Sequence, residues 1–172
     1  MPARRTIGVD LGGTKILAGA VDPSLGVHHR VQRTVTGLQQ RALLDMAVDV
    51  VMETRASAGA EVAAVGFGLP ALIDRRTGKV AVGVHTPLAD IAFADVMAER
   101  LGLPVFVDND ANNSALAEHR AGAAQGASEA IVLTLGTGIG GGMILNGRLY
   151  RGARGGAGEL GHMEIDFDGP LC

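Results

Sequence analysis

The chain has 172 residues, enough for one ordinary domain or for a small domain and part of another. Its 47% hydrophobic content indicates a globular chain with apolar mass for a core, and no apolar run is long enough to span a membrane. The net charge of −3, with both signs mixed along the chain and no basic patch interleaved with aromatics, gives no electrostatic case for nucleic acid.

Met1-Pro2-Ala3-Arg4-Arg5-Thr6 lacks an apolar stretch of the secretory kind and leads straight into a strand pattern. The single cysteine, Cys172, forms no internal disulfide, which fits a cytoplasmic protein. Thr6 to Asp10 reads as a strand with Ile7 and Val9 on one face. Leu11-Gly12-Gly13-Thr14 is a turn, Lys15 to Val21 a second strand and Val27 to Val35 a third, an opening β-meander. Leu44, Ala47, Val48 and Val51 fall at helical spacing within residues 38–58. Val62 to Leu69 is a buried strand, and residues 75–78 make a hairpin turn. Phe93, Val96, Met97 and Leu101 mark a helix that Gly102 and Pro104 end. Pro104 to Val107 is a strand, Ala111 to Ala121 a helix and Ile131 to Leu135 a strand. Met143–Leu145 and Arg148–Tyr150 form a hairpin around Asn146-Gly147. Met46, Met52 and Met97 are expected in the core, and His28, His29 and His119 at the surface.

Three meander strands followed by alternating helices and strands predict an α/β fold with a mixed sheet. The pattern restarts near Ile131 with another strand, glycine turn and strand, so two similar units around a cleft are expected. Of the 26 glycines, 11 fall between Gly136 and Gly161, which signals local backbone demands rather than low complexity.

Four segments carry chemistry. Asp10-Leu11-Gly12-Gly13-Thr14-Lys15 reads either as an ordinary hairpin turn or as a phosphate loop. In the second reading backbone N–H groups and the Thr14 hydroxyl face phosphate, and Asp10 holds a hydrated Mg²⁺. Residues 135–142, Leu-Gly-Thr-Gly-Ile-Gly-Gly-Gly, contain a G-x-G-x-x-G spacing, but a strand rather than a helix follows. That argues against a dinucleotide site and for a second strand–turn–strand phosphate loop. Asp108-Asn109-Asp110 lies between a strand and a helix; a helix N-cap would need only one such residue. Asp110 stands where a carboxylate can accept a proton from a substrate hydroxyl. Glu159 and His162, three apart, are either a solvated Glu and a locally bonded His or two ligand-facing groups.

Together and in this order, residues 7–15, 107–112, 135–142 and 158–162 resemble the ROK family of sugar kinases and repressors, nearest to its glucokinases. The resemblance implies a two-lobed, actin-like ATPase (ribonuclease H-like) fold. Residues 1–109 would be the small N-terminal lobe and residues 110–172 the start of the larger one, so the chain would be about half of a family member. Implied cofactors are ATP, Mg²⁺ and a structural Zn²⁺.

Carried over to this chain, Asp10, Gly12, Gly13, Thr14 and Lys15 would form the first phosphate loop, and Gly136, Thr137 and Gly138 the second. Asp110 would be the general base on the 6-hydroxyl of a hexose. Asn109, Glu159, His162 and Gly68 would bind the sugar, and His162 and Cys172 would supply two of four zinc ligands. The whole protein would be a cytoplasmic homodimer or homotetramer feeding glycolysis. Two departures touch the identity of the sugar: Ala71 follows Pro70 where the family commonly has Gly, and His85 stands where its glucokinases often have Asn. The alternatives are a sugar-responsive repressor of the same family, for whose winged helix-turn-helix the strand beginning at Thr6 leaves no room, and a non-catalytic sugar-binding module.

Overall fold

Alternation in the first strand decides which face of the sheet is filled. In β1 (Arg5–Leu11), Ile7, Val9 and Leu11 are buried, while Thr6, Gly8 and Asp10 point to the other face. The computed structural model describes residues 4–74, 76–166 and 168–169. β2 (Lys15–Val21) and β3 (Val27–Thr34) complete the meander, and α1 (Gln40–Ser57) returns the chain to β4 (Val62–Leu69), parallel to β1. β5 (Ala71–Asp74), β6 (Lys79–Gly83) and β7 (Ala89–Ile91) form a small antiparallel sheet of their own. α2 (Phe93–Leu101) then leads to β8 (Val105–Asn109), parallel to β4. The central sheet is therefore mixed, in the order β3-β2-β1-β4-β8.

One face of this sheet carries the core. Leu43, Ala47, Val50 and Val51 of α1 and Phe93, Met97 and Leu101 of α2 are buried against Ile7, Val9, Ile16 and Phe67. Phe67 and Phe93 meet edge to face with ring centroids 5.2 Å apart, an arrangement that contributes about 0.5–1.5 kcal/mol beyond area burial. Gly102 ends α2 in the left-handed region (φ 63), a conformation that costs a residue with a Cβ more than it costs glycine.

α3 (Asp110–Ala121) lies toward the opposite face, followed by β9 (Ala130–Leu135), β10 (Ile139–Leu145) and β11 (Arg148–Tyr150), a separate antiparallel sheet in the order β11-β10-β9. The strand–turn–strand restart expected near Ile131 is this second sheet. It docks on α3 through glycines. A Cβ on Gly140 would sit 3.0 Å from the Ala111 Cβ, and one on Gly142 would strike the Ala115 Cβ. Among the described residues no helix is long and apolar enough to cross a membrane.

Three expectations need correction. Asp108 and Asn109 are not loop residues: they extend β8 and pair with Gly68 and Leu69 of β4. Met52 is 45% exposed, because Ala47, Val50, Val51 and Thr54 occupy the buried stripe of α1 and residue 52 falls off it. His28 and His119, unlike His29, are half-buried and bonded, to the Asp22 carboxylate and the Ala127 carbonyl, rather than free in solvent.

Candidate functional site

Parallel pairing brings the carboxyl ends of β1, β4 and β8 to one edge, where open α/β sheets bind ligands. The register places Asp10, Gly68 and Asp108 in one row across the three strands. The α3 N-terminus sits over that row. A Cβ on Gly68 would lie 3.0 Å from the Asn113 Nδ2 and 3.5 Å from the Asp110 Cα, so glycine is what lets the helix come this close. Asp10, Gly68, Asp110 and Thr134 all line one open cleft of about 620 Å³.

The turn into α3 is held at three points. The Asn109 N–H donates to the Asp108 Oδ1 (2.9 Å), the Asn112 N–H to the Asn109 Oδ1 (3.0 Å) and the Ala111 N–H to the Asp110 Oδ1 (2.9 Å). Asn109 is thus the helix N-cap, the plainer of its two readings. Its side-chain oxygen is committed, and its amide nitrogen is the group left for a ligand. Asp110 is the first helical residue, where the helix dipole favours a carboxylate.

Asp10 is open to solvent on the cleft side, yet the protein around it pushes its carboxyl above the usual carboxylate range. Burial is the larger cause and the charge of Asp110 the second, while Lys15 pulls the other way. Two carboxylates that repel across a cleft are a hard-oxygen donor set of the kind Mg²⁺ takes together with substrate phosphates.

Each glycine turn is closed by a backbone hydrogen bond. The Gly12 N–H closes the first on the Lys15 carbonyl (2.9 Å), and the Gly136 N–H closes the second on the Gly138 carbonyl (3.0 Å). The N–H groups of these leading glycines are therefore spent inside the turns. A Cβ on Gly136 or Gly138 would meet nothing within 4 Å, so the second turn faces open space that a ligand can fill. Around the first turn the fit is tighter: a Cβ on Gly13 would lie 2.6 Å from the His85 carbonyl oxygen. Thr14 and Lys15 are exposed beside it.

Glu159 precedes and His162 ends a single 3₁₀ turn (Leu160–His162) that rests on β10. Their side chains are 58% and 79% exposed, 3.8 Å apart, and neither lines the cleft that holds Asp10 and Asp110. Gly158 has φ 90, and a Cβ on it would lie 2.6 Å from the Gly141 carbonyl, so the segment is seated by backbone contact. The zinc expectation finds no support in this geometry. Among the described residues no three His, Cys, Asp or Glu side chains converge, and Cys172 lies outside them. The donors present do not make the four-ligand site of a structural zinc.

Residue-type reasoning missed one element of the site. Arg151, just after β11, forms a half-buried ion pair with Asp108 (Nη2–Oδ2 2.5 Å, Nε–Oδ2 2.7 Å). The two are 43 positions apart, and no local pattern announces the contact.

Known proteins resemble this chain over nearly its whole length. The model of the ROK family matches residues 6–172. A glucokinase of Streptomyces coelicolor is 38% identical over 169 residues, which are 97% of this chain and 52% of that protein. A xylose repressor of Bacillus spizizenii is 33% identical over 171 residues, 97% of this chain and 44% of the repressor. Among solved structures, a ROK family glucokinase from Streptomyces griseus in complex with glucose and AMPPNP superposes with a TM-score of 0.89 at 38% identity, covering 98% of this chain and 53% of that one. The chain spans about half the length of the curated relatives it matches.

Proposed function

Because this chain belongs to the ROK family, with the α/β actin-like ATPase fold of its glucokinases, we propose that it is part of a sugar kinase that transfers the γ-phosphoryl group of ATP to the 6-hydroxyl of a hexose, glucose first. The observation that carries this reading is the seating of Asp110 on the α3 N-terminus, in one cleft with Asp10 and Gly68.

The proposed roles are carried over from the family resemblance, and the geometry around Asp110 supports them. The Asp110 Oδ1 is held by the Ala111 N–H, which fixes the carboxylate and leaves Oδ2 to accept the hydroxyl proton. By the family resemblance the Asn109 amide, Glu159 and His162 would supply hydrogen bonds to the sugar, although Glu159 and His162 stand outside the Asp10–Asp110 cleft in this structure, and Gly68 leaves room beside Asp110. The N–H groups of Gly13, Thr14, Thr137 and Gly138, together with the Lys15 ammonium, face the phosphates. Asp10 would hold Mg²⁺, which when bound neutralises charge on the phosphate oxygens. In this reading residues 1–109 would belong to the small lobe and residues 110–172 to the start of the large one.

A second reading is favoured by the match to the xylose repressor over 97% of this chain. In it the same cleft senses a sugar without turning it over. Sugar-dependent ADP release by the whole protein, measured across a panel of hexoses, separates the two. Release with glucose is the expected result. Hexose binding with no ADP release from any sugar would overturn the kinase reading in favour of the sensor.

A further inference from the structure

We infer that Arg151 is a positioning residue that holds the base-bearing turn and the proposed sugar-binding segment in register, an inference that rests on the kinase reading above. Two contacts of this one residue carry it. Its guanidinium grips the Asp108 Oδ2 from Nε and Nη2. The other oxygen of that carboxylate, Oδ1, accepts the Asn109 N–H at 2.9 Å. Asn109 in turn caps α3 directly before Asp110. Through its main chain Arg151 acts in the opposite direction. Its carbonyl accepts the Ala157 N–H (3.1 Å), which closes the loop immediately before Gly158 and Glu159.

Arg151 therefore touches both halves of the site, through Asp108 on one side and Ala157 on the other. The side chains of the pair are only 19% and 15% exposed, so the contact is shielded from the screening that makes surface pairs weak. A guanidinium contacting one carboxylate through two nitrogens also fixes orientation, which a lysine cannot do. Where β10 meets α3, glycine packs against alanine, at Gly140 with Ala111 and Gly142 with Ala115. Such contacts set a spacing between surfaces but do not by themselves lock a rotation.

The test compares Arg151→Met, Arg151→Lys, Asp108→Asn and the Asp108→Asn/Arg151→Met double variant with the wild-type whole protein. It reads kcat, the KM for hexose, the KM for ATP and the melting temperature. Arg151→Met is expected to lower kcat/KM for hexose by about ten- to a hundredfold, as a misplaced reacting group does, with the KM for ATP unchanged. Arg151→Lys should recover part of the loss. The double variant should be no worse than the poorer single one, because both changes break the same link.

A purely structural role would lower the melting temperature and the active fraction while leaving both KM values where they were. That pattern, or additive losses in the double variant, would overturn the inference. Failure of all the variants to fold would assign the pair to stability alone and overturn it too. A wild type that phosphorylates no hexose would defeat the kinase reading and this one with it. An active wild type with unaffected variants would defeat only this one.

Discussion

Asp10 at the end of β1 and Asp110 at the start of α3, a hundred positions apart in the chain, line the same cleft, and the charge of Asp110 helps push the Asp10 carboxyl up. The two are not equivalent. Asp110 has a backbone donor on one oxygen and the positive end of a helix behind it. Asp10 has crowding and a like charge, offset in part by Lys15. In the proposed reaction Asp110 is the proton acceptor and Asp10 the cation holder.

Replacing Asp110 with Asn keeps the shape and removes the acceptor. Turnover should fall by about 10²–10⁴-fold, the usual contribution of a general base. Hexose affinity should stay within a few-fold, since the amide can still hydrogen-bond. Steady-state kinetics and calorimetric hexose binding on the whole protein check both halves. Unchanged turnover would remove Asp110 from the mechanism.

Asp10→Asn should separate function from stability. The folded carboxyl titrates above its ordinary value of 3.8, so its favourable contribution is present when it is protonated, below 3.8, and is lost as pH rises through the folded value. At neutral pH the ionised group is a net cost to folding. The Asn variant should therefore melt slightly higher than wild type at pH 7, and the gap should close toward pH 3.8. The gain stays below about 1 kcal/mol, because the carboxylate is open to water on one side. Nucleotide turnover should be lost at the same time. A lower melting point at pH 7 would contradict the electrostatic account.

Much of this arrangement was readable from local chemistry. Ile7, Val9 and Leu11 alternate cleanly, and that period put Asp10 on the ligand face of the sheet. Gly102 and Asn146-Gly147 adopt the positive φ angles that their residue types announce. The misses are long-range or hidden by polarity. Asp108 and Asn109 look like loop residues, but parallel partners in β4 draw them into the strand. Met52 has the composition of a core residue and the wrong phase on its helix. The Arg151–Asp108 pair depends on how β11 and β8 are brought together in space, which no window of sequence contains. The cap on α3 uses only the Asn109 Oδ1, so the two roles that its residue type suggests are compatible.

Gly142→Ala tests whether β10 must lie flush on α3. The added methyl would strike the Ala115 Cβ and come 2.9 Å from the Ala111 carbonyl oxygen. Neither neighbour can swing aside, one being a short buried side chain and the other helix backbone. Overpacking of this kind costs about 1–3 kcal/mol. Hexose affinity should weaken as well, because Gly158 and the turn after Glu159 rest on β10. A variant with wild-type melting and binding would show that the second sheet tolerates displacement.

The β2–β3 hairpin provides a pH-dependent element remote from the site. Asp22 accepts from the Ser24 hydroxyl (2.6 Å), the His28 Nε2 (2.7 Å), and the Ser24 (2.8 Å) and Gly26 (3.0 Å) N–H groups. These bonds, the Ser24 hydroxyl first and His28 next, hold its carboxyl far below the ordinary 3.8. A depressed carboxyl stabilises the fold above the unfolded value and loses that contribution as pH falls toward the folded one. Asp22→Ala should therefore melt below wild type at pH 7, and the difference should shrink once the pH drops under 3.8. The cost comes from the turn, not from the ligand cleft, so hexose and ATP KM values should not move. Melting curves from pH 7 to pH 3, paired with kinetics at pH 7, decide it. A gap that stays constant across that range would mean the turn is held by packing rather than by the ionised carboxylate.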